Sequence, residues 1–144
     1  MDYSTYLDNL QSSVAKAQAE VEAAASDSRS KLQARIGQAH VAAQNALESA
    51  NVSAVALDEQ AQTDWARMRA DAAARLAAVK TRVDHRSATF DANVAQLDAE
   101  AAEADAEAAI DYAEWAVSNA EYAILSAIDA RLNADEKTAV AAAH

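Results

Sequence analysis

Residues 65–94 read WARMRADAAARLAAVKTRVDHRSATFDANV, and whether this stretch is one helix or two decides how the chain is folded. Its apolar and small positions, Trp65, Met68, Ala72, Leu76, Val79, Val83, Ser87, Phe90 and Val94, follow one another in steps of three and four. A strand would need a period of two, so the stretch reads as a helix face. The stripe passes Arg86 without changing phase, which favours one helix throughout. A rival break lies at Asp84–Thr89, where basic residues suited to a helix end give way to acidic ones suited to a start. A second rival lies at 101–105, where the large apolar residues lapse. The uninterrupted stripe favours the second.

The rest of the chain repeats this texture. Of 144 residues, 43 are alanine, none is proline and the one glycine is Gly37, so almost nothing compels the chain to leave the helix. Alanine has the highest helix propensity, and glycine costs about 1 kcal/mol and proline about 3 kcal/mol relative to it. The stripe starts at Tyr3, Leu7, Leu10, Val14, Ala17 and Val21, then continues through Ala25, Ser28, Leu32, Ile36, Ala39, Ala43, Leu47 and Ala50. Beyond Val21 the repeat is eleven residues in three turns, about 3.67 per turn, which runs nearly straight or slightly right-handed. Only 32 residues are apolar and larger than alanine. An alanine-lined seam buries less area, at roughly 25 cal/mol per Å², than a leucine-lined one. A modestly stable monomer, or one stabilised by association, is expected.

These patterns predict an all-α fold: a long antiparallel, coiled-coil-like helical hairpin with a third helix packing at its open end, as one elongated domain over 1–144. The expected helices are 3–50, 54–102 and 106–132, with a fraying tail at 133–144. The first starts near Ser4 or Thr5, with Asp8 three residues after Thr5 as a weak capping box. The first reversal falls within Glu48–Asp58, where Asn51 and Ser53 are good N-cap types and Asp58-Glu59 suit a first turn. In this hairpin residue i faces residue 104 − i. Leu7 then meets Leu97, Val14 meets Phe90, Val21 meets Val83, Ile36 meets Met68 and His40 faces Asp64. Glu20 and Glu22 fall near Arg82 and Arg86, and Arg35 faces Arg69.

The formal net charge is −11, unevenly spread. Residues 1–90 hold 10 Lys+Arg and 11 Asp+Glu, and residues 91–144 hold 2 and 12, so the excess acidity lies in the last third. The most basic stretch runs from Arg67 to Arg86. Net acidity argues against nucleic acid, whose phosphates require a basic face. It also disfavours a membrane or lipid surface, because helices that lie on lipid usually carry Lys and Arg on their polar face. There is no cysteine, hence no disulfide or thiolate metal site, which fits a reducing compartment. No run approaches the roughly 20 apolar residues of a membrane span. Met1-Asp2-Tyr3-Ser4 lacks the basic and apolar regions of a signal peptide. The cytoplasm is the expected location.

No catalytic, cofactor-binding or metal-binding residues are predicted, and no cofactor. A di-iron bundle needs Glu three residues before His. Gly37 stands there for His40, Arg82 for His85 and Ala141 for His144. Gly-rich phosphate loops, Gly-x-Ser-x-Gly and cysteine nucleophiles are also missing. Two surfaces remain as candidates. Glu100, Glu103, Glu107, Asp111 and Glu114 share one face of a continuous helix. They offer a cation site or a docking strip for a basic partner, or simply a solvated face, at a cost of a few tenths of a kcal/mol for each like-charged i,i+4 pair. Ile110, Ala113, Val117, Ala120, Ile124 and Ala127 form an apolar stripe, and Trp115, Tyr122 and Leu125 lie off it. An apolar surface wider than about 100° exceeds one interface. It serves either a core touching two helices or a partner surface.

The run Ala109-Ile110-Asp111-Tyr112-Ala113-Glu114-Trp115-Ala116, with Glu121-Tyr122-Ala123-Ile124-Leu125-Ser126-Ala127, resembles small alanine-rich acidic helical proteins of actinobacterial type. The resemblance covers about a fifth of the chain and implies a helical fold but no activity or site. In texture the whole chain also resembles phasins and apolipoprotein-like proteins. The expected function is that of a non-enzymatic structural or protein-interaction protein, as a homo-oligomer or with a helical protein partner. The alternative is an amphipathic coat on a lipid or polymer surface.

Overall fold

The computed structural model of the chain describes residues 2–54, 58–86 and 88–143. Among these residues there are four helices and no strand: α1 (Tyr3–Ala24), α2 (Arg29–Ala54), α3 (Glu59–Arg86) and α4 (Ala92–Ala143). The fold is all-α.

Every helix starts on a side chain that caps it. The Asp2 carboxylate accepts from the Thr5 amide at 3.3 Å and the Thr5 hydroxyl at 2.7 Å. The hydroxyl and amide together hold the Asp2 carboxyl below its ordinary value. The Ser28 hydroxyl accepts from the Lys31 amide at 3.3 Å, and Asp58 from the Ala61 amide at 2.8 Å. Asp91 accepts from the amides of Asn93 at 2.8 Å and Val94 at 3.3 Å. Each cap satisfies amides that the first turn leaves without an intrahelical acceptor. The C-terminal ends use no left-handed residue, since no described residue has positive φ. Instead they tighten into i→i+3 bonds, Ser26 to Ala23 and Asp27 to Ala24 after α1, Ala88 to His85 and Thr89 to Arg86 after α3.

These caps correct the expected layout. The helix expected at 3–50 breaks at 25–28, where Ser28 is a cap and not a member of the stripe. The first helix is capped by Asp2, ahead of Ser4 and Thr5. The first reversal lies within the expected window but late: α2 runs through Asn51 and Ser53, Asp58 is the cap, and residues 55–57 lie outside the described residues. The second break is at the disfavoured position. The chain turns after Arg86, Ser87 lies outside the described residues, and α4 passes through 101–105 without a break. Helices at 54–102 and 106–132 therefore do not form. Residues 133–143 continue α4 and are not a tail.

The structure divides into two units. One, Tyr6–Ala95, holds most of α1, all of α2 and α3 and the first residues of α4. Within it, α2 packs on α3. The first three turns of α2 and the last three of α3 line one groove, while only four residues separate the other ends, so the pair is an antiparallel hairpin. The limits of the groove, Arg29 with Arg86 and His40 with Leu76, put residue i near residue 115 − i, not 104 − i. His40 accordingly stands beside the Leu76 turn, away from Asp64. The seam expected farther out does not form, with Val14, Val21, Phe90 and Leu97 at 59%, 70%, 97% and 65% exposure.

An ion-pair clasp closes the break between α1 and α2. The Arg35 guanidinium donates to both carboxylate oxygens of Asp27, at 2.8 Å and 3.5 Å, and to Glu20. These hydrogen bonds, Asp27's first, raise Arg35 above its usual basicity. Glu20 thus pairs with Arg35 of the next helix.

The other unit holds Gln96–His144 with the N-terminal residues up to Thr5. Its substance is α4, 52 residues, about 78 Å at ~1.5 Å per residue. No residue whose burial is described is fully buried.

Candidate interaction surfaces

An α-helix turns roughly 100° per residue, and this rotation sorts the side chains of α4 into rows. Alanine persists through the helix, so no propensity barrier interrupts it between Ala92 and Ala143. Glu100, Glu103, Glu107, Asp111 and Glu114 therefore lie on one unbroken helix as a single exposed row. The Glu100 carboxylate accepts from Gln96 Nε2 at 3.4 Å. Five carboxylates spaced along a straight row do not converge. Among the described residues no three His, Cys, Asp or Glu side chains come together as a metal-holding group.

Trp115 and Tyr122 sit just beside the acidic row and Leu125, three turns after Glu114, continues it, at 49%, 77% and 58% exposure. Trp115 and Tyr122 are two turns apart and Leu125 follows Tyr122 by one turn, so they form a line and not a pocket. The Trp115 ring instead meets Tyr112, at 5.5 Å between centroids and 38° between planes. That pairing shields part of the indole and leaves the rest facing outward. On the far side of the acidic row runs a row of small residues, Ala106, Ala109, Ala113, Val117 and Ala120, of which all but Ala120 are exposed.

The groove on the α2–α3 hairpin is a site that the 104 − i register conceals. It encloses about 650 Å³. Leu32, Ile36, Leu76, Val79 and Val83 give it an apolar floor, and Arg29, Lys80 and Arg86 bring positive charge to its edges. Asp84 lies there too and accepts from Lys80 Nζ at 2.7 Å. Gly37 and His40 complete the α2 wall. Two signals in the sequence mark this place: the only glycine, and the most basic stretch, which ends at Arg86.

Among the described residues no helix is long and apolar enough to cross a membrane. The chain matches no known family model, no curated protein and no solved structure.

Proposed function

We propose that this chain is a non-enzymatic helical interaction protein that self-associates through α4, with the antiparallel α2–α3 hairpin as its packed scaffold. The observation that carries the reading is the exposure of Trp115, Tyr122 and Leu125 on one side of a helix. Aromatic side chains are the commonest anchors of protein interfaces. Here two of them, with a leucine, line up at the i, i+7 and i+10 spacing that a facing helix engages. Covering these exposed side chains supports the same reading, since apolar surface removed from water contributes roughly 25 cal/mol per Å².

The partner is a second copy, with the Trp115 faces of two α4 helices meeting. Two acidic helices then approach one another with their carboxylate rows bordering the contact, so added salt favours assembly by screening. Sedimentation equilibrium across a concentration series tests this. The average mass is expected to rise with concentration. Trp115→Glu is expected to shift that rise to at least tenfold higher concentration with helix content unchanged. A monomer mass up to millimolar protein, at low and high salt, rejects the proposal. Loss of helix in Trp115→Glu would instead assign Trp115 to the monomer's own packing.

A further inference from the structure

The groove between α2 and α3 poses a question about Gly37. A glycine inside a helix lowers its stability relative to alanine and needs a packing or functional reason. The chain's own fold supplies none. Gly37 has no positive φ, and a Cβ added there meets no atom within 4 Å. It stands on the groove wall, facing open space. A missing side chain at that place lets another backbone come close to α2.

The edges of the groove say what kind of backbone. Arg29, Lys80 and Arg86 against Asp84 leave the groove net positive around an apolar floor. It runs about 16 Å, three helical turns, from Arg29 to His40. The complementary object is a helix with a narrow row of small residues, flanked on both sides by carboxylates. The chain contains one. On α4, the row Ala106, Ala109, Ala113 and Val117 spans the same three turns, with the exposed Ile110 along one side and then Glu103 and Glu107 on that flank, and Asp105 on the other.

We infer that this groove receives α4 of a second copy, the Ala106–Val117 row lying against Gly37 and the apolar floor and the flanking carboxylates beside the basic edges. The inference rests on self-association but uses a row of α4 distinct from the Trp115 face. Opposite charges hold this contact, so salt weakens it, the reverse of its effect where two α4 helices meet.

The full-length chain tests it in sedimentation velocity at low salt, with circular dichroism to check that each variant is folded. Two charge reversals are made, Arg29→Glu with Lys80→Glu in the groove and Glu103→Lys with Glu107→Lys on α4, together with Gly37→Leu. Each is expected to raise the concentration needed for association at least tenfold. Gly37→Leu should do so while keeping or raising helix content, which separates blocked docking from misfolding. An equimolar mixture of the two reversed proteins is expected to regain association. Variants that associate like the unaltered chain overturn the inference and leave the Trp115-face reading standing. Reversals that each lose association but fail to restore it when mixed also overturn it. A monomer under every condition overturns both.

Discussion

The α2–α3 hairpin and α4 are written in nearly the same alphabet but are held as helices by different means. In the hairpin, Leu32, Leu47, Met68, Leu76 and Val83 are half-buried along a seam between two helices. A half-buried leucine contributes about 1 kcal/mol, so several such positions hold the pair together. In α4, 20 of 52 residues are alanine, against 15 in α2 and α3 together. An isolated alanine-rich helix becomes stable beyond about 12–15 residues, and α4 is several times that length. The hairpin is a product of packing, and α4 is a product of propensity. Charge follows the same division. Alanine supplies neither solubility nor specificity, and α4 carries 11 acidic and 2 basic residues among its alanines. The packed pair carries the basic excess.

The largest expected effect that tests this division is Ala106→Pro in the middle of α4. Proline removes an intrahelical hydrogen bond and clashes with the preceding turn, at a cost of about 3 kcal/mol or more. α4 should lose helix around Ala102–Ala106, read as faster amide hydrogen exchange there and a lower helical signal in circular dichroism. Amides of α2 and α3 should keep their protection. Loss of protection in the hairpin as well would break the comparison by showing that α4 belongs to one cooperative fold.

The reciprocal change is smaller. Leu76→Ala removes a seam side chain, and full burial would make that worth about 2–5 kcal/mol. At half burial about 1–2 kcal/mol is expected. Hydrogen exchange should report it as a matching loss in α2 and α3 with α4 unmoved. No loss in α2 would mean that the seam does not hold the pair and that propensity alone governs both regions.

How far the sequence is legible follows from the same contrast. Helicity is a matter of composition and is plain from the alanines. The acidic row is plain from its spacing, and the Trp115 line from its residues. The breaks are not, because in a chain without proline the apolar stripe survives them. Ser28 and Phe90 keep the three–four rhythm although one is a cap and the other lies in a connection. The signals that do mark the breaks are capping side chains, Asp2, Ser28, Asp58 and Asp91, with His85 and Arg86 closing α3. The register error has a related cause. Moving the turn a few residues changes the facing sum from 104 to 115, and that eleven-residue step is three helical turns. A pattern with an eleven-residue repeat is unchanged by such a step, so periodicity alone cannot distinguish the two registers. The groove at Gly37 stays hidden for the same reason, since it exists only in the second register.

Phe90 is where the smallest expected effect is the most informative one. In the 104 − i register Phe90 lies opposite Val14 inside a seam, and Phe90→Ala would cost about 3 kcal/mol or more. In the structure the ring is 97% exposed, between the turn at Thr89 that follows α3 and the α4 cap at Asp91. Nothing packs on it, so truncation removes almost no buried area. The backbone around it is fixed by neighbours that do not involve the ring: the Thr89 amide bonds to Arg86, the Thr89 hydroxyl to the His85 carbonyl at 3.5 Å, and Asp91 caps α4. Phe90→Ala should therefore change stability by less than about 0.5 kcal/mol, the range of exposed substitutions. Chemical denaturation of the two proteins side by side decides it at a concentration where the chain is monomeric. A loss of several kcal/mol would restore the continuous helix through residues 65–94 and remove the division between a packed hairpin and a separate α4. A null effect in the monomer that becomes a loss only at associating concentrations would place Phe90 in the contact between copies.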